Sequence, residues 1–238
     1  GSGKTSTLYT MIDQKKSEEI NLISLEDPVE YHMEGVCQVQ INDRTDLTFA
    51  NALRAVLRQD PDISAVGEIR DGETAEIAMR AAMTGHLVFT TIHTNDALSS
   101  IDRLLDIGVE PYLIAGGVRG IISQRLVRKI CPRCKQAYTP SQEELELLGL
   151  PQSDYQFYRG TGCSECFHTG YRGRTGVFEI LTMTPDMRRA IHQKDRKAME
   201  EAVRRSTFRP ILEDCGHLVA EGITTTEEIV KVIGGQVK

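Results

Sequence analysis

The chain opens Gly1-Ser2-Gly3-Lys4-Thr5-Ser6, and this hexapeptide constrains the fold more than any other stretch. It matches the second half of the pattern G-x-x-x-x-G-K-[ST], whose glycines let backbone N–H groups turn inward onto anionic oxygens. A helix must begin at once behind such a loop, so that its positive end lies under the phosphates. Gly1, Ser2, Gly3 and Ser6 then form the cradle, Lys4 reaches the β- and γ-phosphates, and Thr5 offers its hydroxyl to Mg²⁺. The first glycine of the pattern and the strand expected before it are missing from the numbering. The chain therefore reads as the C-terminal part of something longer.

Two periodicities alternate downstream. Leu8, Met11 and Ile12 recur at helical spacing over residues 5–16, as the helix behind a phosphate loop requires. Residues 21–25 are a short, mostly apolar run suited to a strand. Pro28 stops it and leaves Glu26, Asp27 and Glu30 at its C-terminal end, where open α/β sheets bind ligands. Residues 38–41 alternate as an edge strand, and Thr48 is placed to cap a helix carrying Phe49, Leu53, Val56 and Leu57, closed by Asp60-Pro61. Residues 63–66 form a further buried strand running into Gly67-Glu68-Ile69-Arg70-Asp71. An alanine-rich helix follows over 74–84, ended by Gly85. The clearest strand, 87–92, delivers His93, Thr94 and Asn95 to the same edge. Asn95 or Asp96 caps a helix with Leu98, Ile101, Leu104 and Leu105, and Pro111 opens another predicted to run toward Arg128. Such alternation specifies an α/β fold with a parallel sheet and helices on both faces.

Beyond residue 129 the pattern changes to turns and cysteines, and after Gly176 to mostly helical segments at 185–193, 196–205, 211–221 and 227–232. Thr184 and Thr225 or Thr226 are candidate caps. The sequence thus divides into an α/β core over 1–129, a cysteine module over 130–170 and a mainly helical segment over 171–238. Cys131/Cys134 and Cys163/Cys166 are two C-x-x-C knuckles separated by 28 residues that include an amphipathic stretch at 141–150. Four thiolates leave no open position on a tetrahedral ion, so the pattern predicts a structural Zn²⁺ site. His168 is near enough in sequence to compete, but four cysteines fill the shell. Cys37 and Cys215 are expected as small buried hydrophobes.

Phosphoryl transfer needs a phosphate cradle, a metal and a group that orients the attacking water. Glu26 and Glu68 both follow strands, so a parallel sheet brings them to the edge where the phosphate loop sits. Glu68 is the candidate Mg²⁺-side acid, acting directly or through water, and Glu26 the candidate general base. His93, among Thr90, Thr91 and Thr94, is placed to hydrogen-bond a γ-phosphate oxygen.

Three stretches carry a family resemblance: Leu25-Glu26-Asp27-Pro28-Val29-Glu30-Tyr31; Leu57-Arg58-Gln59-Asp60-Pro61-Asp62 running into Gly67-Glu68-Ile69-Arg70-Asp71; and Thr84-Gly85-His86-Leu87 running into Thr91-Ile92-His93-Thr94-Asn95-Asp96. In order, they resemble the aspartate, Walker B and histidine boxes of the bacterial type II/type IV secretion and pilus ATPases. The resemblance implies a RecA-like P-loop core in a homo-oligomer, a hexamer by the family's habit, that hydrolyses ATP in the cytoplasm. It also implies a position peripheral to the inner membrane, where the motor pushes on a platform protein, with no nucleic acid as partner. It assigns Glu26 as the catalytic glutamate, Glu68 as the Walker B acid and His93 as the residue near the γ-phosphate, and marks His86 as a box residue without a clear role. Gly67 stands where many nucleotide hydrolases carry aspartate, as is usual in this family. Gly170-Tyr171-Arg172-Gly173-Arg174-Thr175-Gly176 resembles the assembly members. Retraction motors generally lack the cysteine module, which points to pilus extension or type II secretion. In this family, arginines from an N-terminal domain complete the site and are worth about 10³- to 10⁵-fold in rate, so this chain alone is expected to be a weak ATPase. Arg54, Arg58, Arg70 and Arg80 are candidates for the site, for subunit contacts or for plain surface ion pairs.

Two other readings compete. One is a zinc-ribbon nucleic-acid-binding module on an inactive nucleotide fold, supported by Arg125, Arg128, Lys129, Arg133 and Lys135 around the first knuckle. A net charge of -6, no tryptophan and 5% aromatic residues argue against it. The other is a DNA-uptake or conjugation ATPase that uses the same engine. No stretch is apolar for long enough to form a transmembrane helix.

Overall fold

The computed structural model describes residues 1–148 and 156–234. They form two compact units that interleave along the chain. One holds residues 4–121 and 181–207; the other gathers residues 1–3 with those described from 122 to 180 and from 208 onward.

In chain order the elements are α1 (Lys4–Lys15), β1 (Leu22–Glu26), β2 (Cys37–Gln40), α2 (Phe49–Val56), β3 (Ile63–Val66), α3 (Gly72–Met83), β4 (Leu87–Thr90), α4 (Ala97–Asp106), α5 (Pro111–Gly117), β5 (Gly120–Ile130), β6 (Lys135–Tyr138), α6 (Gln142–Leu147), β7 (Phe157–Gly160), β8 (Tyr171–Thr182), α7 (Pro185–His192), α8 (Arg196–Arg204), α9 (Ile211–Ala220) and α10 (Thr226–Gly234).

The first unit is built on a four-stranded sheet in the order β2-β1-β3-β4. Each neighbouring pair is parallel, with Leu25 opposite Val39 and Val66, and Val66 opposite Thr90. The inner strands β1 and β3 are buried at every position, which accounts for their mostly apolar composition, with Ser24, Glu26 and Ser64 as the buried polar exceptions. On α1 the buried face is Leu8, Tyr9 and Ile12, packed with Leu22, Met33, Val36, Ile63 and Ala65. Helix starts are fixed by side-chain caps. Thr48 accepts from the Asn51 N–H at 3.2 Å, Asp71 from Thr74 at 2.8 Å, and Asp96 from Ser99 at 2.7 Å. Each cap is worth about 1 kcal/mol.

Several sequence expectations are corrected. Cys37 is exposed, because β2 is an edge strand, whereas Cys215 is fully buried. The helix opened by Pro111 does not run toward Arg128. It ends at Gly117, where a Cβ would come within 3.0 Å of the Met79 carbonyl oxygen, so glycine permits the close approach of α5 to α3. Residues 120–130 then form β5, paired with β8 in a two-stranded sheet, so part of the segment expected to be mostly helical is strand. The helix α3 starts before Thr74 because Asp71 is its cap.

In the second unit β6 and β7 pair antiparallel, from Lys135 opposite Gly160 to Tyr138 opposite Phe157. Its core joins Val127, Phe157 and Val177 to Ile211, Cys215, Val219 and Ile229. Ser141 caps α6 in a capping box with Glu144, and the end of the amphipathic stretch expected there, residues 149 and 150, lies outside the described residues. Arg128 binds Glu228 through both its backbone N–H (3.1 Å) and its guanidinium (2.6 Å) and stacks over Tyr171 at 4.0 Å, tying β5 to α10. Burial pushes the Glu228 carboxyl up, but the bonds from Arg128 and Lys231 outweigh it and hold the group down at about 2.

Candidate functional site

Three neighbouring strands end at one edge of the parallel sheet and deliver the polar residues of the site. Glu26 is the last residue of β1, Glu68 lies two residues past β3, and His93 three past β4. Gly67 lets the strands carrying the two acids stay close. Its N–H donates to the Leu25 carbonyl at 2.7 Å, and a Cβ there would come within 3.1 Å of that oxygen and 3.5 Å of Glu26 Cα. An aspartate at this position would crowd β1. The segments beyond are also stapled, since Thr91 Oγ1 donates to the Gly67 carbonyl at 2.7 Å and the Ile69 N–H to that of Thr91 at 2.9 Å.

Lys4, the first residue of α1, reaches this edge. Its Nζ lies 3.5 Å from His93 Nδ1, and His93 Nε2 lies 3.2 Å from Glu68 Oε2. An ammonium can only donate, so Nδ1 accepts from Lys4, and the Nε2–H donates to Glu68; the partners select this tautomer. The chain of contacts continues. Arg70 Nε donates to Glu68 Oε1 at 2.6 Å, and Arg70 also binds Asp27 Oδ2 at 3.1 Å. A continuous polar line thus runs Lys4–His93–Glu68–Arg70–Asp27.

Glu26 stands apart from that line and is buried, 4% exposed. It accepts from Ser24 Oγ (2.6 Å) and Gln38 Nε2 (3.1 Å) on Oε1, and from the Tyr9 hydroxyl on Oε2. Burial, reinforced by the bond to Glu26, pushes the Tyr9 phenol up to about 12, so Tyr9 is the donor of that pair. Sequence reasoning missed all three partners. Ser24 carried a signal, because positions i and i+2 of a strand share a face, which puts its hydroxyl beside Glu26. Tyr9 and Gln38 arrive through tertiary packing alone.

The remaining candidates are distributed unevenly. Thr5 and Ser6 are exposed in the first turn of α1. Gly1, Ser2 and Gly3 group with the second unit; Gly3 has φ +85°, and a Cβ there would meet Gln124 Nε2 at 2.9 Å. His86 is not part of the cluster, for it precedes β4 at the opposite end of that strand and contacts the Ala81 carbonyl near the end of α3 (3.2 Å). Of the arginines, only Arg70 joins the acids. Arg54 pairs with Glu73 and Arg80 with Glu76 on the exposed surface, where such pairs contribute little.

The second unit contains the cysteine cluster. The antiparallel β6–β7 ladder brings the two knuckles together, and all four Sγ atoms lie within 4.8 Å of one another. The separations Cys131–Cys163, Cys134–Cys166 and Cys163–Cys166 are 3.9, 3.8 and 3.7 Å. A tetrahedron with Zn–S bonds of about 2.3 Å has edges of about 3.8 Å, so the donor set fits that ion. These distances are too long for disulfides. Burial pushes the Cys166 thiol up, but N–H groups of Cys163 (3.2 Å) and Gly170 (3.3 Å) donate to its Sγ and bring it down to about 6. The thiolate is the form that binds metal.

A parallel α/β sheet whose strand ends carry two glutamates and a histidine, the histidine in contact with a lysine that heads α1, describes a phosphate-loop nucleotide protein; the chain adds a four-cysteine cluster. The chain belongs to the family described as Type II/IV secretion system protein, whose sequence model matches residues 1–231. It is 46% identical over 233 residues to type II secretion system protein E of Pseudomonas aeruginosa, covering 98% of this chain and 46% of that protein. It is likewise 46% identical over 234 residues to the type IV pilus assembly ATPase PilB of Thermus thermophilus, covering 97% of this chain and 26% of that protein. The crystal structure of the pilus retraction motor PilT with bound ADP superposes with a TM-score of 0.70 at 30% identity, covering 98% of this chain and 58% of PilT. The chain spans less than two thirds of the length of each of these relatives, and about half or less of the two curated ones. No helix among the described residues is long and apolar enough to cross a membrane.

Proposed function

We propose that this chain is the ATP-hydrolysing core of a motor that powers pilus assembly or type II secretion. The observation that carries the reading is the contact line from Lys4 through His93 to Glu68, with Glu26 one strand away at the same sheet edge. ATP is the substrate. Gly1, Ser2, Gly3 and Ser6 with Lys4 would hold its phosphates, and Glu26 would orient water and take its proton as the oxygen attacks the γ-phosphorus and ADP leaves. Thr5 and Glu68 are hard oxygen donors suited to Mg²⁺, which when bound neutralises charge between the β- and γ-phosphates. His93 now occupies both Lys4 and Glu68 and would exchange one of those contacts for a γ-phosphate oxygen. The four cysteines would hold a structural Zn²⁺ that orders their module.

The names of the relatives support a role in secretion or pilus assembly for the whole protein, and the family resemblance of its sequence boxes extends the reading to a cytoplasmic homo-oligomer, a hexamer, peripheral to the inner membrane and coupled to a platform protein there. It comprises the α/β core, the zinc module and the mainly helical C-terminal segment. Pilus assembly and secretion are favoured over retraction by the four-cysteine cluster. A nucleic-acid module on an inactive fold is disfavoured, because the lysine, both acids and the histidine share one edge. The full-length protein should hydrolyse ATP and show no salt-sensitive DNA affinity. DNA binding that weakens steeply with salt, without ATP turnover, would reverse the choice.

A further inference from the structure

We propose that Tyr9 is a positioning residue that couples the phosphate-binding helix to the catalytic carboxylate Glu26; this rests on the hydrolysis reading above. Three side chains donate to Glu26, and they differ in origin. Ser24 lies on the same strand and Gln38 on the adjacent strand, so both move with the sheet. Tyr9 alone comes from α1, five residues after Lys4 and so about 7.5 Å along the helix axis. A shift of α1 as phosphates enter is therefore transmitted directly to Oε2.

The surroundings of Tyr9 suit that task. Its side chain is 1% exposed and its ring packs edge-on against Tyr31 with centroids 4.7 Å apart. The hydroxyl also accepts the Glu30 N–H at 3.2 Å, so the loop after β1 is pinned by the atom that holds Glu26. Ser24 and Gln38 already occupy Oε1. Oε2, with Tyr9 on one lone pair, keeps the other for a water proton. The direction of that lone pair is set by the phenol.

Tyr9→Phe keeps the ring and its packing and removes only the hydroxyl. In the full-length protein it should lower kcat about ten- to a hundredfold, the scale of a misplaced catalytic group, with KM and the Kd for ATP within about twofold of wild type. A kcat within about twofold of wild type overturns the proposal, as does a fall in kcat that is matched by an equal loss of ATP affinity, which is the pattern of a merely structural residue. Site-specific replacement of Tyr9 by 3,5-difluorotyrosine preserves ring and hydroxyl but makes the phenol a stronger acid. A changed kcat at unchanged KM supports the coupling, and an unchanged kcat counts against it. Glu26→Gln measured in parallel separates the two levels. Loss of turnover there with normal Tyr9→Phe rejects only the role of Tyr9, whereas full turnover by Glu26→Gln removes the hydrolysis reading and this inference with it.

Discussion

Glu26→Gln is expected to reduce ATP turnover by about 10²- to 10⁴-fold, the range for losing a general base, while ATP still binds. The substitution is a fair test because the site can accept an amide. Ser24 and Tyr9 contact this side chain through hydroxyls, which rotate from donor to acceptor, so the new NH₂ group need not face a fixed donor. Burial and packing are thus preserved, while the acceptor for the proton is lost and the Tyr9 bond reverses. Glu68→Gln serves as the comparison. It removes a charge that binds Arg70 at 2.6 Å and faces His93 at 3.2 Å, so its main effect should be on Mg²⁺ dependence. If Glu68→Gln stopped turnover and Glu26→Gln did not, the roles of the two acids would be exchanged.

The second large effect concerns the cysteine module. Titrating the thiols with a mercurial should release about one zinc ion per chain, read with a colorimetric chelator. The β6–β7 ladder should then lose its hydrogen-exchange protection. Structural zinc contributes roughly 10–16 kcal/mol of apparent binding free energy, far more than the loop between the knuckles costs to close. With the cluster spaced at 3.7–3.9 Å and no disulfide to take over, the knuckles are left to the short β6–β7 ladder and a few surface contacts such as the Arg133–Glu165 ion pair (2.8 Å). Cys163→Ser should show the same loss without mercurial. Recovery of no metal from the native protein, or of disulfides in place of free thiols, would remove the zinc assignment.

The parts of this molecule that were legible in the sequence share a local cause. The strands β1 and β3 are buried at every position, so their mostly apolar runs stood out, and Thr48, Asp96 and Thr184 announced helices through hydrogen bonds made within four residues. Lys4, Glu26, Glu68 and His93 could be placed at one edge because parallel strands all end on the same side. What stayed hidden depends on distant partners. The strand β5 carries Gln124, Arg125, Arg128 and Lys129 among its apolar residues, and only pairing with β8 makes an extended conformation worthwhile. Cys37 looked like a core residue because its exposure is decided by the absence of a strand on the outer side of β2 among the described residues. The bonds to Glu26 from Tyr9 and Gln38 span 17 and 12 positions and follow from packing that no spacing rule encodes.

Lys4 and the strand-end carboxylates must serve one bound triphosphate. Calorimetric titration of ATP and Mg²⁺ into the full-length protein and its Lys4→Ala variant tests this most directly. Removing one side of a close charge pair costs about 2–5 kcal/mol, so affinity should fall by at least about thirtyfold in the variant. Equal affinity for ATP in the two proteins would contradict it.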